Sequence, residues 1–308
     1  MHRTQAVETV RFSAACQRPS GGRDACPGPQ LAAAAPAATG RRWSAGLGLG
    51  FRPSGGKTVL AHRRRYGPLA VQRPFYPEGG VCHVYLLHPP GGLVGGDLLE
   101  IHTHLATHSH ALVTTPGATK FYRSAGAMAQ QTQRLEVADG ATLEWLPREN
   151  IFFPGAQAAL CTRVELQGRA RLALWETHCL GRPVIGEAFD AGRVDTRLEL
   201  YRDGVPLLLE RLRVDARSRL WRSRLDGRAV TATALFSHAG DHHLRLARDC
   251  IGTPGNGIAA ATRVEDLLLL RYLGDSAEEA QDLFAKTWSA LREPLLNRPA
   301  TSPRIWNT

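Results

Sequence analysis

The sequence predicts a mainly β protein, superhelical and solenoid-like or sandwich-like, rich in antiparallel pairing, with one C-terminal helix at about residues 276–292. Three observations carry this. Short apolar or alternating runs recur along most of the chain. Pro/Gly and Asp-Gly turn signals separate them. One window, near the end, has helical spacing instead.

The runs are Thr58–His62, Val81–Leu87, Leu98–Leu105, Ala111–Thr114, Ala141–Trp145, Leu172–Thr177, Val194–Tyr201, Val205–Val214 and Ala229–Phe236. Between them lie Pro53-Ser54-Gly55-Gly56, Pro77-Glu78-Gly79-Gly80, Pro89-Pro90-Gly91-Gly92, Asp139-Gly140, Asp203-Gly204 and Asp226-Gly227. Gly, Pro and Asp supply the backbone angles that tight turns need. Many short strands at this spacing indicate a sandwich, barrel or solenoid rather than βαβ units. No fixed-period repeat is visible. Leu267–Leu273, bounded by Asp266 and Gly274, reads as a buried strand. After it, Ser276 and Glu279 form a capping box, and Ala280, Leu283, Phe284, Trp288 and Leu291 share one helical face, with Pro294 as the stop.

Residues 1–42 are rich in Ala, Pro, Gly and Ser and offer little to bury, so a disordered extension is expected there. They lack the charged, apolar and small-residue order of a signal peptide. The ordered domain is expected over 43–308. At 308 residues, with 43% hydrophobic and 21% charged, the chain is large enough for a substantial core. It holds no apolar stretch long enough to span a bilayer. The six cysteines show no CxxC pair, so free thiols in a reducing cytoplasm are expected. The net charge of +10 is carried by arginine, with only three lysines. These arginines are spread thinly apart from Arg63-Arg64-Arg65, which argues against a nucleic-acid surface.

No catalytic motif emerges. Ser54-Gly55-Gly56-Lys57-Thr58 looks like a phosphate loop, but Phe51 occupies the position where that loop needs glycine. His102, His104, His108 and His110 all have even numbers. In one strand they share a face; if Thr103–Ser109 turns, two fall on each of two paired strands. Either geometry gathers imidazoles suited to Ni(II), Zn(II) or Cu(II), and the alternative is a solvent-facing polar strip. Gly91-Gly92-Leu93-Val94-Gly95-Gly96-Asp97 reads as a tight loop presenting Asp97. Glu176 falls in a strand apolar on both faces. Glu210 shares its face with Leu208, Leu212 and Val214, while Arg211 and Arg213 point the other way. A dry, unpaired carboxylate costs several kcal/mol, so Glu210 must be protonated, paired with a cation, or wetted by an internal cavity. A hydrolase using Glu176 and Glu210 would need both to face one open cleft.

Several segments, taken together, resemble the UreD (UreH) family of urease accessory proteins. They are Arg73-Pro74-Phe75-Tyr76-Pro77-Glu78-Gly79, His88–Asp97, Thr114–Ser124, Asn150–Ala156, Cys179-Leu180-Gly181-Arg182-Pro183, Arg271-Tyr272-Leu273-Gly274 and Pro303–Thr308. The resemblance spans about residues 43–308. It implies a superhelical β fold without catalytic activity. The partners it implies are UreF, the GTPase UreG and the apo-urease subunits. Ni(II) would pass through an internal tunnel and no cofactor would be permanently bound. The family carboxylates on that path match Asp97, Glu176 and Glu210; position 176 is as often Asp. Two departures stand out. The extension 1–42 exceeds the usual start, and His102, His104 and His108 lie where the family is more often acidic or neutral, whereas His110 fits.

Overall fold

A computed structural model describes residues 43–307, apart from 219, 253, 254 and 256. The expected disorder of residues 1–42 falls outside the described residues. In chain order the strands are β1 (Ser44–Ser54), β2 (Lys57–Tyr66), β3 (Ala70–Val71), β4 (Cys82–Leu87), β5 (Gly92–Leu93), β6 (Leu98–Leu105), β7 (His110–Thr114), β8 (Thr119–Phe121), β9 (Ala129–Val137) and β10 (Thr142–Leu146). Next come β11 (Asn150–Phe152), β12 (Ala156–Leu166), β13 (Arg171–Arg182), β14 (Glu187–Ala188), β15 (Gly192–Arg202) and β16 (Val205–Asp215). The C-terminal part holds α1 (Leu220–Arg224), β17 (Val230–Phe236), α2 (Asp241–Ile251), β18 (Ile258–Val264), β19 (Leu267–Gly274) and α3 (Ala277–Leu296).

From β6 to β15 the chain alternates between two sheets. One runs β16-β15-β12-β9-β6-β1-β2, the other β18-β19-β17-β13-β10-β7-β4-β3. Each return to a sheet follows a visit to the other, so successive strands enter in the same direction. The middle of both sheets is therefore parallel: β1, β6, β9, β12 and β15 in the first, β4, β7, β10 and β13 in the second. This is a solenoid-like arrangement. The expected antiparallel pairing lies at the flanks, at β1–β2, β15–β16, β3–β4 and β13–β17–β19–β18, and at the short β13–β14 pair. First-sheet strands begin at Leu98, Ala129, Ala156 and Gly192, unequal intervals that account for the absence of a sequence period.

The layers explain the burial pattern. Leu47, Phe51, Leu99, Leu143 and Leu174 belong to the apolar core between the sheets. Trp175, Leu268, Phe284, Trp288 and Leu291 belong to a second core, where α3 covers the other face of the second sheet. A strand covered on both faces needs apolar residues at both parities, and β13 is buried from Leu172 to Gly181.

Ser276 caps α3 by accepting the Glu279 N–H at 3.1 Å. The reciprocal half of the expected box does not form, because the Glu279 carboxylate takes the Tyr272 hydroxyl at 2.7 Å and the Gly255 N–H at 2.6 Å. Pro294 does not stop the helix. At the last turn it removes only one ladder bond, and α3 continues to Leu296, ending at Asn297 in the left-handed conformation.

A buried ionic network fastens α3 to the sheet. Arg292, 1% exposed, reaches Glu144 at 2.9 Å and Glu78 at 2.7 Å. Trp288 Nε1 donates to Glu144 at 2.6 Å, His110 Nε2 meets Glu144 at 2.7 Å, and His83 Nε2 meets Glu78 at 2.6 Å. Burial alone would raise the Glu144 pKa. The His110 and Arg292 contacts outweigh it and hold the group at about 2. Cys82, Cys179 and Cys250 are buried free thiols, as expected, whereas Cys161 is not free.

Candidate functional site: a carboxylate-lined cavity between the sheets

The inner face of the first sheet is not uniformly apolar. Backbone register places Gln133 of β9 beside Thr162 of β12, which lies beside Leu198 of β15, which pairs with Glu210 of β16. Gln131 and Gln133 are buried with their side of β9. Opposite them, β13 presents Glu176 and His178, 8% and 7% exposed. Thr162 Oγ1 crosses between the sheets to Glu176 Oε1 at 2.5 Å. Glu176 Oε2 faces His178 Nε2 at 3.6 Å, and His178 Nδ1 lies 3.5 Å from Asn150 Nδ2. A polar seam thus runs between two apolar layers.

The seam leads to a cavity of about 260 Å³ lined by Glu176, His178, Thr196, Glu210, Thr231 and Arg271, among others. That volume is many times the roughly 10–15 Å³ one water needs, and the walls offer enough polar partners to hold several. Glu210 is only half-buried. Its inward parity is as expected, but its carboxylate is ion-paired with Arg271 of β19 across the gap between sheets. Of the alternatives for Glu210, pairing with a cation is the one formed, at the wall of a cavity with room for water. Arg211 and Arg213 point away and bond Asp195, at 2.7 and 3.1 Å.

Glu176 and Glu210 come together; Asp97 does not join them. Asp97 is buried at 7% exposure, and its carboxylate folds back onto the Val94 N–H at 2.9 Å and the Trp43 N–H at 3.4 Å. Rather than being presented by its glycine loop, it ties that loop together and anchors the entry to β1.

The histidines separate. His102 and His104 lie on β6, facing Glu136 of β9 at 3.1 and 3.6 Å. His108 sits at a turn with φ 59°, and His110 belongs to β7 in the other sheet, committed to Glu144. The expected gathering on paired strands fails because the turn carries the chain from one sheet to the other. Among the described residues, no group of three or more His, Cys, Asp or Glu is assembled to hold a metal ion. No helix among them is long and apolar enough to cross a membrane.

Sequence reasoning missed His178 and Arg271 as cavity residues. His178 carried a usable signal, being two residues from Glu176 on the same strand face. Arg271 carried none, since its partner lies 61 residues away in the other sheet.

Comparison with known proteins agrees with the resemblance. The family described as UreD urease accessory protein matches residues 44–307. A urease accessory protein UreD of Alcanivorax borkumensis is 47% identical over 279 residues, 88% of this chain and 95% of the relative. Those of Pseudomonas putida and Klebsiella aerogenes are 49% and 48% identical, each over 86% of this chain and covering 95% and 97% of the relatives. A family match over residues 44–307, with relatives 47–49% identical over most of both chains, makes this chain a member of the UreD family of urease accessory proteins.

Proposed function

We propose that this chain is a non-enzymatic maturation scaffold that binds UreF, docks with UreG on apo-urease in the cytoplasm, and helps deliver Ni(II) along its interior. The carrying observation is that Glu176 and Glu210 line one cavity of about 260 Å³ at the end of a polar seam, rather than sitting in solid apolar core. Ni(II) is cargo here, attracted by carboxylates and released onward, and no resident cofactor is required. A hydrolytic reading is disfavoured, because Arg271 occupies Glu210 and leaves no free carboxylate pair facing a substrate cleft.

The test is Glu210→Gln in cells co-expressing urease, UreF and UreG. The pair it breaks is half-exposed, so stability changes by about 1 kcal/mol or less. UreF and urease still co-purify, and urease holds less nickel per active site. Full activation by the variant overturns the conduit; so does loss of UreF by a variant that melts normally.

A further inference from the structure

At the edge of the sheets opposite the cavity, the chain carries charge that its own fold does not neutralise. β2 ends the first sheet there. It pairs with β1 alone, and no strand among the described residues lines its other side. The register with β1 skips Ala61, so Arg63 and Arg65 pair with Leu49 and Leu47 on the core side, and Arg64 pairs with Gly48 on the outer side. Residues 61–66 are nonetheless all exposed, because the second sheet tapers here to the two-residue β3 and leaves them uncovered. Lys57, Arg63, Arg64, Arg65 and Arg73 are exposed and have no acidic partner among the described residues. Glu100 beside β2 accepts the Tyr66 hydroxyl at 2.9 Å, and Glu78 belongs to the Arg292 network. At the Lys57 end a cleft of about 590 Å³ opens, lined by Val59 and Leu60 of β2 and by Pro74, Phe75 and Tyr76. Phe75 is fixed there by exchanging backbone hydrogen bonds with His83, at 3.0 and 3.2 Å, and by an edge contact with Tyr85 at 4.6 Å.

We propose that the β2 edge and this cleft together bind an extended acidic peptide of a partner protein, which adds a strand alongside β2, sets carboxylates against Arg63, Arg64 and Arg65, and seats an aromatic residue in the cleft. Nickel passage is not needed for this reading. In strand addition the main chain supplies affinity and side-chain pockets supply specificity. Successive side chains of a strand point to opposite faces, so three consecutive arginines call for a run of acids rather than alternate ones. Each guanidinium can take a carboxylate in a two-pronged hydrogen bond. The Thr58 N–H is tied to the Gly80 carbonyl at 2.9 Å, so the free edge stops there and an added strand runs on into the cleft. From Arg63 to Thr58 the strand covers roughly 17 Å, which sets the spacing between the acids and the aromatic anchor. Inside the cleft Lys57 Nζ lies 4.5 Å from the centre of the Tyr76 ring, so rings and cations are presented together. Tyr66 lies across Gly46, where a Cβ would collide with its ring, and holds the far end of the edge against β1. An edge fixed in advance costs a partner less ordering. Charge on an edge strand also deters self-association, but that role needs neither a cleft nor rings.

The test uses the full chain and a fluorescein-labelled decapeptide with glutamates at one end, phenylalanine at the other, and threonine and valine between, made in both directions. Binding is read by fluorescence anisotropy and by hydrogen exchange. One direction is expected to bind and to slow exchange in β2. Replacing its glutamates with lysines should lower affinity at least about tenfold, the scale of a few exposed ion pairs. Replacing its phenylalanine with glycine should lower affinity several-fold. Arg63→Glu, Arg64→Glu and Arg65→Glu together, all at exposed positions, should reverse the preference so that the lysine peptide binds better. Should the triple variant melt early, Arg64→Glu alone should narrow the preference several-fold. Equal affinity for the two peptides, no binding of either direction, or a preference unchanged by the arginine variants overturns the site. Binding without protection of β2 overturns strand addition, and indifference to the phenylalanine removes the cleft. Tighter binding of a short single-stranded RNA than of the glutamate peptide shows a general polyanion surface and overturns the proposal as well.

Discussion

Replacing Arg292 with Leu should be among the most damaging single changes in this protein. Its guanidinium is 1% exposed and makes hydrogen bonds to Glu144 at 2.9 and 3.0 Å, to Glu78 at 2.7 and 2.8 Å, and to the Pro299 carbonyl at 2.5 Å. Leucine fills part of the space but leaves two buried carboxylates without their shared cation. Breaking one buried pair this way costs about 3–5 kcal/mol. Glu144 keeps His110 and Trp288, and Glu78 keeps His83, which holds the loss within that range despite two stranded acids. At roughly 2–4 °C per kcal/mol for a domain of this order of size, the melting temperature falls by roughly 6–20 °C. The Arg271–Glu210 pair is the internal control: half-exposed, it is worth about 1 kcal/mol or less. The assay is thermal and urea unfolding of Arg292→Leu, Glu144→Gln and the double variant. The double should lose clearly less than the two singles added, because each single strands the other's partner. A loss below about 1 kcal/mol in Arg292→Leu, or simple additivity, refutes the network as the fastening of α3.

Two further outcomes follow from the same packing. Glu144 titrates at about 2 in the folded chain against an ordinary 4.5, a depressed value; its stabilisation is complete above about pH 4.5 and drains as pH falls from there towards 2. Glu78 is shifted in the same direction, burial opposing but His83 and Arg292 prevailing, so the urea midpoint should drop steeply over that window, and a flat profile would contradict it. Trp306→Ala removes a ring packed against Trp175 at 5.4 Å and Trp288 at 5.3 Å, with its N–H on Thr114. The ring is partly exposed, so the cost is about 2–3 kcal/mol, below the 3–5 of a fully buried tryptophan; no change in the melting curve would show that the C-terminal segment is not docked in solution.

What the sequence revealed and concealed follows from the range of each interaction. Strands bounded by Gly-rich turns were legible, and Leu98–Leu105 was located to the residue. β9 was hidden because its inward positions carry Gln131 and Gln133, which break the apolar alternation. α2 was missed because only Ala247 and Cys250 are buried on it, too little for a visible stripe. Parallel pairing was concealed, since strand direction depends on which sheet the intervening residues visit. At the site, parity placed Glu210 inward, while Glu176 was legible only as a carboxylate in a strand apolar on both faces. The partner of Glu210, the commitment of His110 to Glu144 and the inward fold of Asp97 all depend on residues distant in the chain or on backbone amides that no side-chain pattern reports.

The separation of Arg292 from Glu78, 214 residues, has a consequence for biosynthesis. Glu78 leaves the ribosome 214 residues before its arginine. Closing that loop costs about 1.6 kcal/mol more than the 34-residue His110–Glu144 closure by the logarithmic length law. The nascent chain must therefore carry an uncompensated acid, and a second sheet with one bare face, until α3 arrives. Closure of the second core waits on α3, and termination anywhere before Arg292 leaves a chain that cannot complete that interior.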